Sequence, residues 1–522
     1  MCGIFALIES EQDPSDAFKT GSKRGPEMSK MIKIDNNYLG FHRLAINGLN
    51  DESNQPLYYK NCVLVCNGEI YNYTELIRDH GLIVKTQSDC EVIAALYTLY
   101  GVKCLEYLDG EFAFVLYDFT KSEFFIARDP FGVRPLYIAN VKNKYCFASD
   151  LEPMLNSIIP WSIAQFKPGS YMTISSVVTS KSYTINTPTD IKFYEKGLYD
   201  YFRLAVYKRV INTERPIACL LSGGLDSSLV AALAARYCRD KGQVLETYSI
   251  GFSESEDLKY AAKVAEHIQS KHTTIICSEE EFFEAIPSVI KDIESYDTTT
   301  VRASVGNWLI GKYIKQHSQA KVILNGDGAD ELMGGYMYFH ACPSSYEFDK
   351  ECRRLLHNIN YFDVLRSDKS ISSHGLEGRT PYLDIHFVNY YLSIPIEVRN
   401  HTLNKKIEKS FMRNTIAQMD PTLLPKEILF RKKEAFSDGV SGLKRSWYQI
   451  IQERLESCDT EDLENIYFYN PPITKEQKYY RKIFDSYYPN CDHLIPYFWM
   501  PKYVDATDAS ARTLSLYSLN IV

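Results

Sequence analysis

Residue 2 is a cysteine placed directly after the initiator methionine. A small second residue permits removal of Met1, which leaves Cys2 with a free α-amine, so nucleophile and base share one residue. An α-amine with a reference pKa of about 7.7–8.0 is a competent base near neutrality, whereas a thiol near about 8.5 is only slightly ionised there. A buried structural cysteine explains a lone Met-Cys pair just as simply. A second group, Ser222-Gly223-Gly224-Leu225-Asp226-Ser227-Ser228, follows an apolar run and opens an amphipathic one. Backbone amides and a helix N-terminus converge there, which makes an anion site; the glycines allow close approach of phosphate, the serines add donors, and Asp226 can hold a magnesium ion. The bland alternative is a glycine turn capped by Ser227. A third group, Asn325-Gly326-Asp327-Gly328-Ala329-Asp330-Glu331, sets three carboxylates beside two glycines. Asp330 suits a second magnesium contact and Asp327 suits substrate orientation, against the alternative of a solvated acidic turn.

These groups need elements to hold them. Residues 1 to about 150 carry short apolar runs (Cys2–Ile8, Val63–Cys66, Phe112–Tyr117, Phe124–Ala127, Lys144–Ala148) that read as strands, with a helix over Cys90–Tyr97, hence an α+β layered domain. The Ser/Thr/Pro-rich stretch from about 153 to 200 reads as the end of that domain plus a connection. Beyond it the pattern alternates: strand Pro216–Leu221, helix Ser227–Tyr237, strand Val244–Phe252, a helix through Leu258 and Ile268, then strands His272–Ile276 and Lys321–Leu324. A parallel doubly wound sheet with extra C-terminal helices follows, and the second and third groups then share the crevice at its strand ends. Gly306 to Lys312 has Walker A spacing, but Tyr313 stands where Ser or Thr is required, so it reads as helix.

Composition narrows the classes. With 522 residues, 45% hydrophobic and 24% charged, the chain has the make-up of a multidomain globular protein, and a net charge of −8 argues against a nucleic-acid surface. Thirteen cysteines without a CxxC pair or zinc spacing fit a reducing compartment. The N-terminus lacks a basic region and its apolar run is broken by Glu9 and Glu11, and no run reaches the roughly 18 residues of a membrane span, so the expectation is a cytoplasmic protein with no membrane partner.

Five blocks in order, Cys2-Gly3-Ile4-Phe5, Arg24-Gly25-Pro26, His42 to Asn47, Asn67 to Asn72 and Ser88 to Glu91, resemble the class II glutamine amidotransferases, and Ser222 to Ser228 resembles the PP-loop of ATP pyrophosphatases. The two together, with Ser295–Ser304, Gly334-Gly335-Tyr336, Gly375–Asp384, Glu408-Lys409 and Ala435–Gly439, resemble the glutamine-hydrolysing asparagine synthetase family; the tail Trp499–Lys502 with Ala506-Thr507-Asp508 is most similar to its animal-type members. The resemblance implies an N-terminal nucleophile-type glutaminase domain over 1–185 and an α/β PP-loop synthetase domain over 200–522. It implies that Cys2 forms a glutamyl thioester and that Asn67 and Gly68 make the oxyanion hole. Glutamine would bind to Arg43, Leu44, Ala45, Ile46, Asn47, Glu69 and Asp89. In the second domain it implies ATP contacts from Leu221, Ser222, Gly223, Gly224, Asp226, Ser227, Ser228, Ile250, Asn325 and Gly326, magnesium on Asp226 and Asp330, and charge neutralisation by Arg302 and Lys409 beside Asp327. Aspartate would be adenylated by ATP and then attacked by ammonia carried through an internal tunnel; a homodimer is implied by the family alone.

The chain departs from that pattern in two places. Where the family often writes Gly-Glu-Gly-Ser-Asp-Glu, this chain has Asp327, one methylene shorter, and the stretch from Ser10 to Arg24 is shorter and more polar. Two rival readings differ in class: a β-lactam-forming PP-loop enzyme, which would lack a working Cys2, and a silent relative kept for interactions, which would lose Cys2 or the phosphate loop. Both features are present.

Overall fold

The computed structural model describes residues 1–157, 160–183, 193–433, 436–442, 445–456 and 467–515. The expected boundary at residue 185 lies outside the described residues, as does Ala435.

Among the described residues the first half contains twelve strands: β1 (Gly3–Ile8), β2 (Met28–Ile34), β3 (Asn37–Arg43), β4 (Leu57–Tyr59), β5 (Cys62–Ile70), β6 (Gly110–Asp118), β7 (Glu123–Arg128), β8 (Tyr137–Val141), β9 (Lys144–Ala148), β10 (Ile163–Gln165), β11 (Ser170–Ile174) and β12 (Val178–Ser182). They form two antiparallel six-stranded sheets, ordered β10-β8-β9-β1-β3-β2 and β12-β11-β7-β6-β5-β4. Strand alternation explains their stacking. Ile4, Ala6 and Ile8 of β1 face Val63 and Val65 of β5 and Val115 of β6 in one core, while Leu64, Cys66 and Phe114 point the other way onto helix Glu91–Tyr100. The outer face of the first sheet, Phe5 and Leu7, joins a core shared with helix Glu279–Ile293 of the second half. The two halves therefore bury apolar surface against each other.

The second half holds a parallel sheet, β15-β14-β13-β16-β17, from β13 (Ile217–Leu220), β14 (Glu246–Gly251), β15 (Lys271–Ile276), β16 (Val322–Leu324) and β17 (Glu377–Arg379). Helix Leu225–Asp240 follows β13 and helix Glu256–Ile268 follows β14, the crossovers a parallel sheet requires. The Walker-like segment lies within helix Thr298–His317, as its apolar interior dictates.

Three corrections concern the elements. Within the stretch 153–200, read as the end of the first domain plus a connection, the domain's end contains two strands that no apolar run marked, Ser170–Ile174 and Val178–Ser182, which pair with each other and extend the second sheet. Exposed Ser/Thr residues hide an edge strand, which needs one face only. β2 and β3 were not anticipated: β2 (MSKMIKI) interleaves Ser and Lys with its apolar residues, and β3 (NYLGFHR) is broken by Gly40 and His42. The three-residue β17 lies inside Gly375–Asp384 and gives no periodic signal.

Candidate active sites

The first candidate site gathers around the open ends of β1, β3 and β5. Cys2 precedes β1, its thiol donates to the Leu44 carbonyl at 3.5 Å, and its own carbonyl accepts from Arg24 Nε at 2.9 Å. With Met1 in place, burial pushes the Cys2 thiol up to about 12. The Met1 amine is itself buried, donates to the Leu376 carbonyl at 2.9 Å, and is lowered by burial to about 5. The thiol is therefore protonated in the unprocessed chain.

Asn67 and Gly68 lie in β5 opposite Ala113 and Phe112 of β6. The Asn67 carboxamide is fully buried, and neither its nitrogen nor its oxygen has a hydrogen-bond partner. A buried amide left open costs roughly 1–3 kcal/mol, so its retention points to a ligand. Gly68 has no room for a side chain, since a Cβ would stand 2.4 Å from the Glu111 carbonyl oxygen. Glu69 Oε2 accepts from Asn47 Nδ2 at 2.7 Å and from Asn212 Nδ2 at 3.3 Å. Asp89 Oδ2 accepts from the Ile70 amide at 2.6 Å, and burial holds its carboxyl up at about 6. Burial, then Asp89 and Glu377, also push the Glu69 carboxyl up, while Arg379 and Arg134 oppose them.

Arg43, expected to bind glutamine, has its guanidinium turned onto the protein's own loop. Its Nη1 donates to the Asn50 carbonyl at 3.2 Å and to Asn54 Oδ1 at 2.5 Å, and its Nη2 donates to the Gly48 carbonyl. The fork holds the loop that follows Asn47. Leu44, Ala45 and Ile46 form the bend before that loop: the Ala45 amide donates to Glu27 Oε2 at 2.8 Å, and the Ala45 and Ile46 carbonyls accept from Arg215 Nε and the Glu214 amide. Glu27, Glu214 and Arg215 were missed because nothing in their neighbours marks them.

The second candidate site is a cleft of about 170 Å³ at the carboxyl ends of β13, β14 and β16. Gly223 at φ +72° turns the loop so tightly that a Cβ would meet the Ala261 amide at 2.4 Å, and a Cβ on Gly326 would meet the Ser227 amide at 2.8 Å. Loop 222–228 and loop 325–331 are thus packed backbone to backbone, for which glycine is required. Leu221, Ser222, Asp226, Ser227, Ile250, Asn325, Gly326, Asp327 and Asp330 all line the cleft. Gly224 and Lys409 line an adjoining cavity with Arg413, Arg431, Lys432 and Lys433. Ser228 is fully buried on the helix and lines neither, because one residue further into the helix turns it toward the core.

Charge in the cleft is arranged in two clusters. Lys409 Nζ lies 2.5 Å from both Asp226 Oδ2 and Asp330 Oδ1, and Lys433 Nζ lies 2.6 Å from Asp330 Oδ2. Against the penalty of burial, Lys409 and Lys433 hold the Asp330 carboxyl well below the usual range. Asp327 Oδ1 lies 3.1 Å from Arg366 Nη2, which also pairs with Asp363 at 2.6 Å, and the Asp327 Oδ2 atom is buried without a partner. Tyr336 donates to Glu331, whose carboxyl is pushed up by burial and by Asp363.

Arg302 does not join them. Its guanidinium is buried between Glu476 (2.6 Å) and Asp508 (2.7 Å), stacked on Tyr448, and its neighbours Thr299, Thr300 and Ala303 line the cleft instead. Two carboxylates from the C-terminal segment satisfy it, so the expected neutralisation of phosphate charge by Arg302 is not what the structure brings together. Lys433 lines the cleft and pairs with Asp330, and was missed because it lies in none of the motif blocks. Asp226 and Asp330 offer the hard oxygens magnesium prefers, and Asp226 Oδ1 is buried without a hydrogen-bond partner, so the donor set fits. Among the described residues no cluster of three or more His, Cys, Asp or Glu side chains could hold a metal by itself.

The comparisons agree with this two-part layout. Residues 1–192 match the model of the glutamine amidotransferase domain, and residues 197–348 and 342–500 match that of asparagine synthase. Among solved structures, the glutamine phosphoribosylpyrophosphate amidotransferase of B. subtilis is 21% identical, covers 49% of this chain and 67% of its own, and has a TM-score of 0.31, too low to carry an argument. Asparagine synthetase [glutamine-hydrolyzing] of Gallus gallus is 40% identical over 567 residues, and that of Homo sapiens 39% over 573, each covering 99% of both chains. With both halves matched in order and the relatives aligned end to end, the chain belongs to the glutamine-hydrolysing asparagine synthetase family.

Proposed function

We propose that the chain makes asparagine from aspartate, glutamine and ATP, in a glutaminase domain over about 1–185 and a synthetase domain over about 200–522. After removal of Met1, Cys2 attacks the glutamine side-chain amide, with its own α-amine as base. Asn67 Nδ2 and the Gly68 amide stabilise the oxyanion, a glutamyl thioester forms, and ammonia leaves. Glu69 and Asp89 take the substrate ammonium, and Arg43 holds the loop beside Asn47 that walls the other end. The observation that carries this half is the Asn67 carboxamide, fully buried and open at both ends. One such donor is worth about 2.7–4 kcal/mol to a developing oxyanion.

In the cleft, Leu221, Ile250, Asn325 and Gly326 take the adenosine and loop 222–228 the phosphates. Asp226 and Asp330 would hold magnesium, which when bound neutralises phosphate charge. Lys409 and Lys433 stabilise departing pyrophosphate as the aspartate β-carboxylate is adenylated, and Asp327 with Arg366 orients aspartate. Ammonia then displaces AMP. Its internal transfer is supported by the short connection between the sites: Leu376, which bonds the chain's N-terminus, directly precedes β17, and β17 lies beside β16 and its Asn325. A path closed to water keeps ammonia unprotonated. A cytoplasmic location is supported by the scattered cysteines without metal or disulfide spacing, and a homodimer is carried over from the family resemblance; no helix among the described residues is long and apolar enough to cross a membrane.

Product analysis with ATP, magnesium, aspartate and amide-¹⁵N glutamine tests the scheme. Labelled asparagine with AMP and pyrophosphate, lost in Cys2→Ala and restored by ammonium, is the expected result. Glutamate release without asparagine or pyrophosphate sinks the synthetase half.

A further inference from the structure

Ion pairs are buried between the two halves. Arg134, Arg209 and Arg379 are all fully buried there, paired with Glu111, Glu69, Glu377, Asp368 and Asp384. Arg209 and Arg379 stack on Tyr71 at 4.5 and 5.5 Å. A buried ionic group is costly unless its partners are well placed, so each such arginine marks a position where geometry is held firmly.

Arg379 differs from the others in what it touches. It belongs to β17, at the edge of the synthetase sheet. Its Nη1 donates to the Arg209 and Asn212 carbonyls at 2.7 and 2.9 Å, closing the C-terminal end of helix Tyr194–Ile211. Its Nε donates to Glu377 at 2.8 Å, and its Nη2 lies in ion-pair contact, without a hydrogen bond, between Glu377 at 2.8 Å and Glu69 Oε2 at 3.3 Å. The other polar partners of Glu69 are the neutral amides of Asn47 and Asn212. Among the described residues, Arg379 is the one cation in ion-pair contact with Glu69. Meanwhile the Arg379 backbone pairs with Leu324, and its carbonyl accepts from the Asn325 amide at 3.2 Å. One residue therefore reaches the glutamine pocket with its side chain and the nucleotide loop with its main chain.

We propose that Arg379 is a positioning residue for glutamine hydrolysis supplied by the synthetase domain: it orients the Glu69 carboxylate toward the ammonium group of glutamine. The glutamine site is then complete only while β17 is docked against it. This rests on the reading that Glu69 takes that ammonium group. A carboxylate beside Asp89 and Glu377 needs an opposing charge to hold it in place, and the Arg379 guanidinium, itself anchored on two carbonyls, keeps that charge 3.3 Å from Glu69 Oε2 where a flexible lysine would do it less well.

The test is the kinetics of glutamate release by the full-length enzyme carrying Arg379→Met, Arg379→Lys or Glu69→Gln. Loss of an interaction made equally in ground and transition state raises KM with kcat little changed, so Arg379→Met is expected to raise the glutamine KM about tenfold or more with kcat within about threefold. Arg379→Lys keeps the charge without the fork and is expected to fall between. The deaminated analogue 4-carbamoylbutanoate has no ammonium group, and the KM ratio of variant to wild type is expected to collapse to about twofold or less with it. A purely structural role would move both substrates alike, and that result overturns the inference, as does a folded Arg379→Met with an unchanged glutamine KM. If Arg379→Met does not fold, an unchanged glutamine KM in Arg379→Lys overturns it equally. Glu69→Gln separates the two readings. An unchanged KM there removes the ammonium contact itself, whereas a raised KM there with an unchanged one in the Arg379 variants removes only the role of Arg379.

Discussion

The Lys409 ammonium stands 2.5 Å from Oδ2 of Asp226, so a residue 183 positions downstream closes the phosphate loop. Lys409 itself has φ +57°, a left-handed conformation that costs a non-glycine residue of order 1–3 kcal/mol and persists where the surroundings over-determine it. The fold thus accepts local strain to bring this cation to the two carboxylates.

Replacing Lys409 with Met removes that cation while leaving Lys433. Asparagine and pyrophosphate formation is expected to fall by about 10²–10³, with ammonium as well as with glutamine, because the lost interaction acts on charge developing in the cleft. Pyrophosphate release under saturating ATP checks it; a loss confined to the glutamine-supported reaction would move Lys409 out of the synthetase chemistry.

Asp327 is a shorter acid than the family often carries, and Arg366 meets it at 3.1 Å. Asp327→Ala leaves the Arg366 guanidinium without one of its two half-buried carboxylate partners and removes the carboxylate proposed to orient aspartate, so it is expected to cost about tenfold or more in kcat/KM for aspartate. Asp327→Glu keeps the charge and is expected to retain more activity than Asp327→Ala. Aspartate titrations at saturating ammonium distinguish them.

The acidity of Asp89 predicts a pH dependence. Its carboxyl is held up at about 6 by burial, against the hydrogen bond from the Ile70 amide, with Glu377 adding to the rise and Arg379 opposing it. Above that value it is a carboxylate and can receive an ammonium group; below it the proton competes. The kcat/KM for glutamate release is expected to fall as pH drops through about 6, and this inflection is expected to disappear in Asp89→Asn. The stability effect has the opposite sign: because the folded value exceeds the unfolded one, near 3.9, the folded state takes up the proton first and gains relative stability as pH falls through that window.

Gly68 lies so close to β6 that any Cβ meets the Glu111 carbonyl. Gly68→Ala is expected to destabilise the protein by about 1–3 kcal/mol through forced strand separation, and to lower glutaminase activity by displacing the amide that faces the oxyanion. A denaturant titration with parallel glutamate assays checks both.

Much of this protein can be read from its residues in order. Strand-forming runs such as Lys144–Ala148, the strand-loop-helix around Ser222–Ser228 and the placement of Asp226 and Asp330 in one crevice follow from local periodicity and from the rule that ligands of parallel sheets bind at strand ends. Such signals are local, so a linear text can carry them. Arg302 shows the limit. Its neighbours identify it as a site residue, yet its partners Glu476 and Asp508 lie more than 170 residues away, and only the folded chain decides that they satisfy it. Lys433, in no motif block, and Arg379, inside the block Gly375–Asp384 but assigned no role there, are the converse, brought to the sites by tertiary contacts with Asp330 and Glu69. Residue types and spacing determined which chemistry the chain carries, because that chemistry depends on functional groups. The pairing of buried charges was decided by tertiary structure, because Coulomb interactions depend on distance in space and on the exclusion of water.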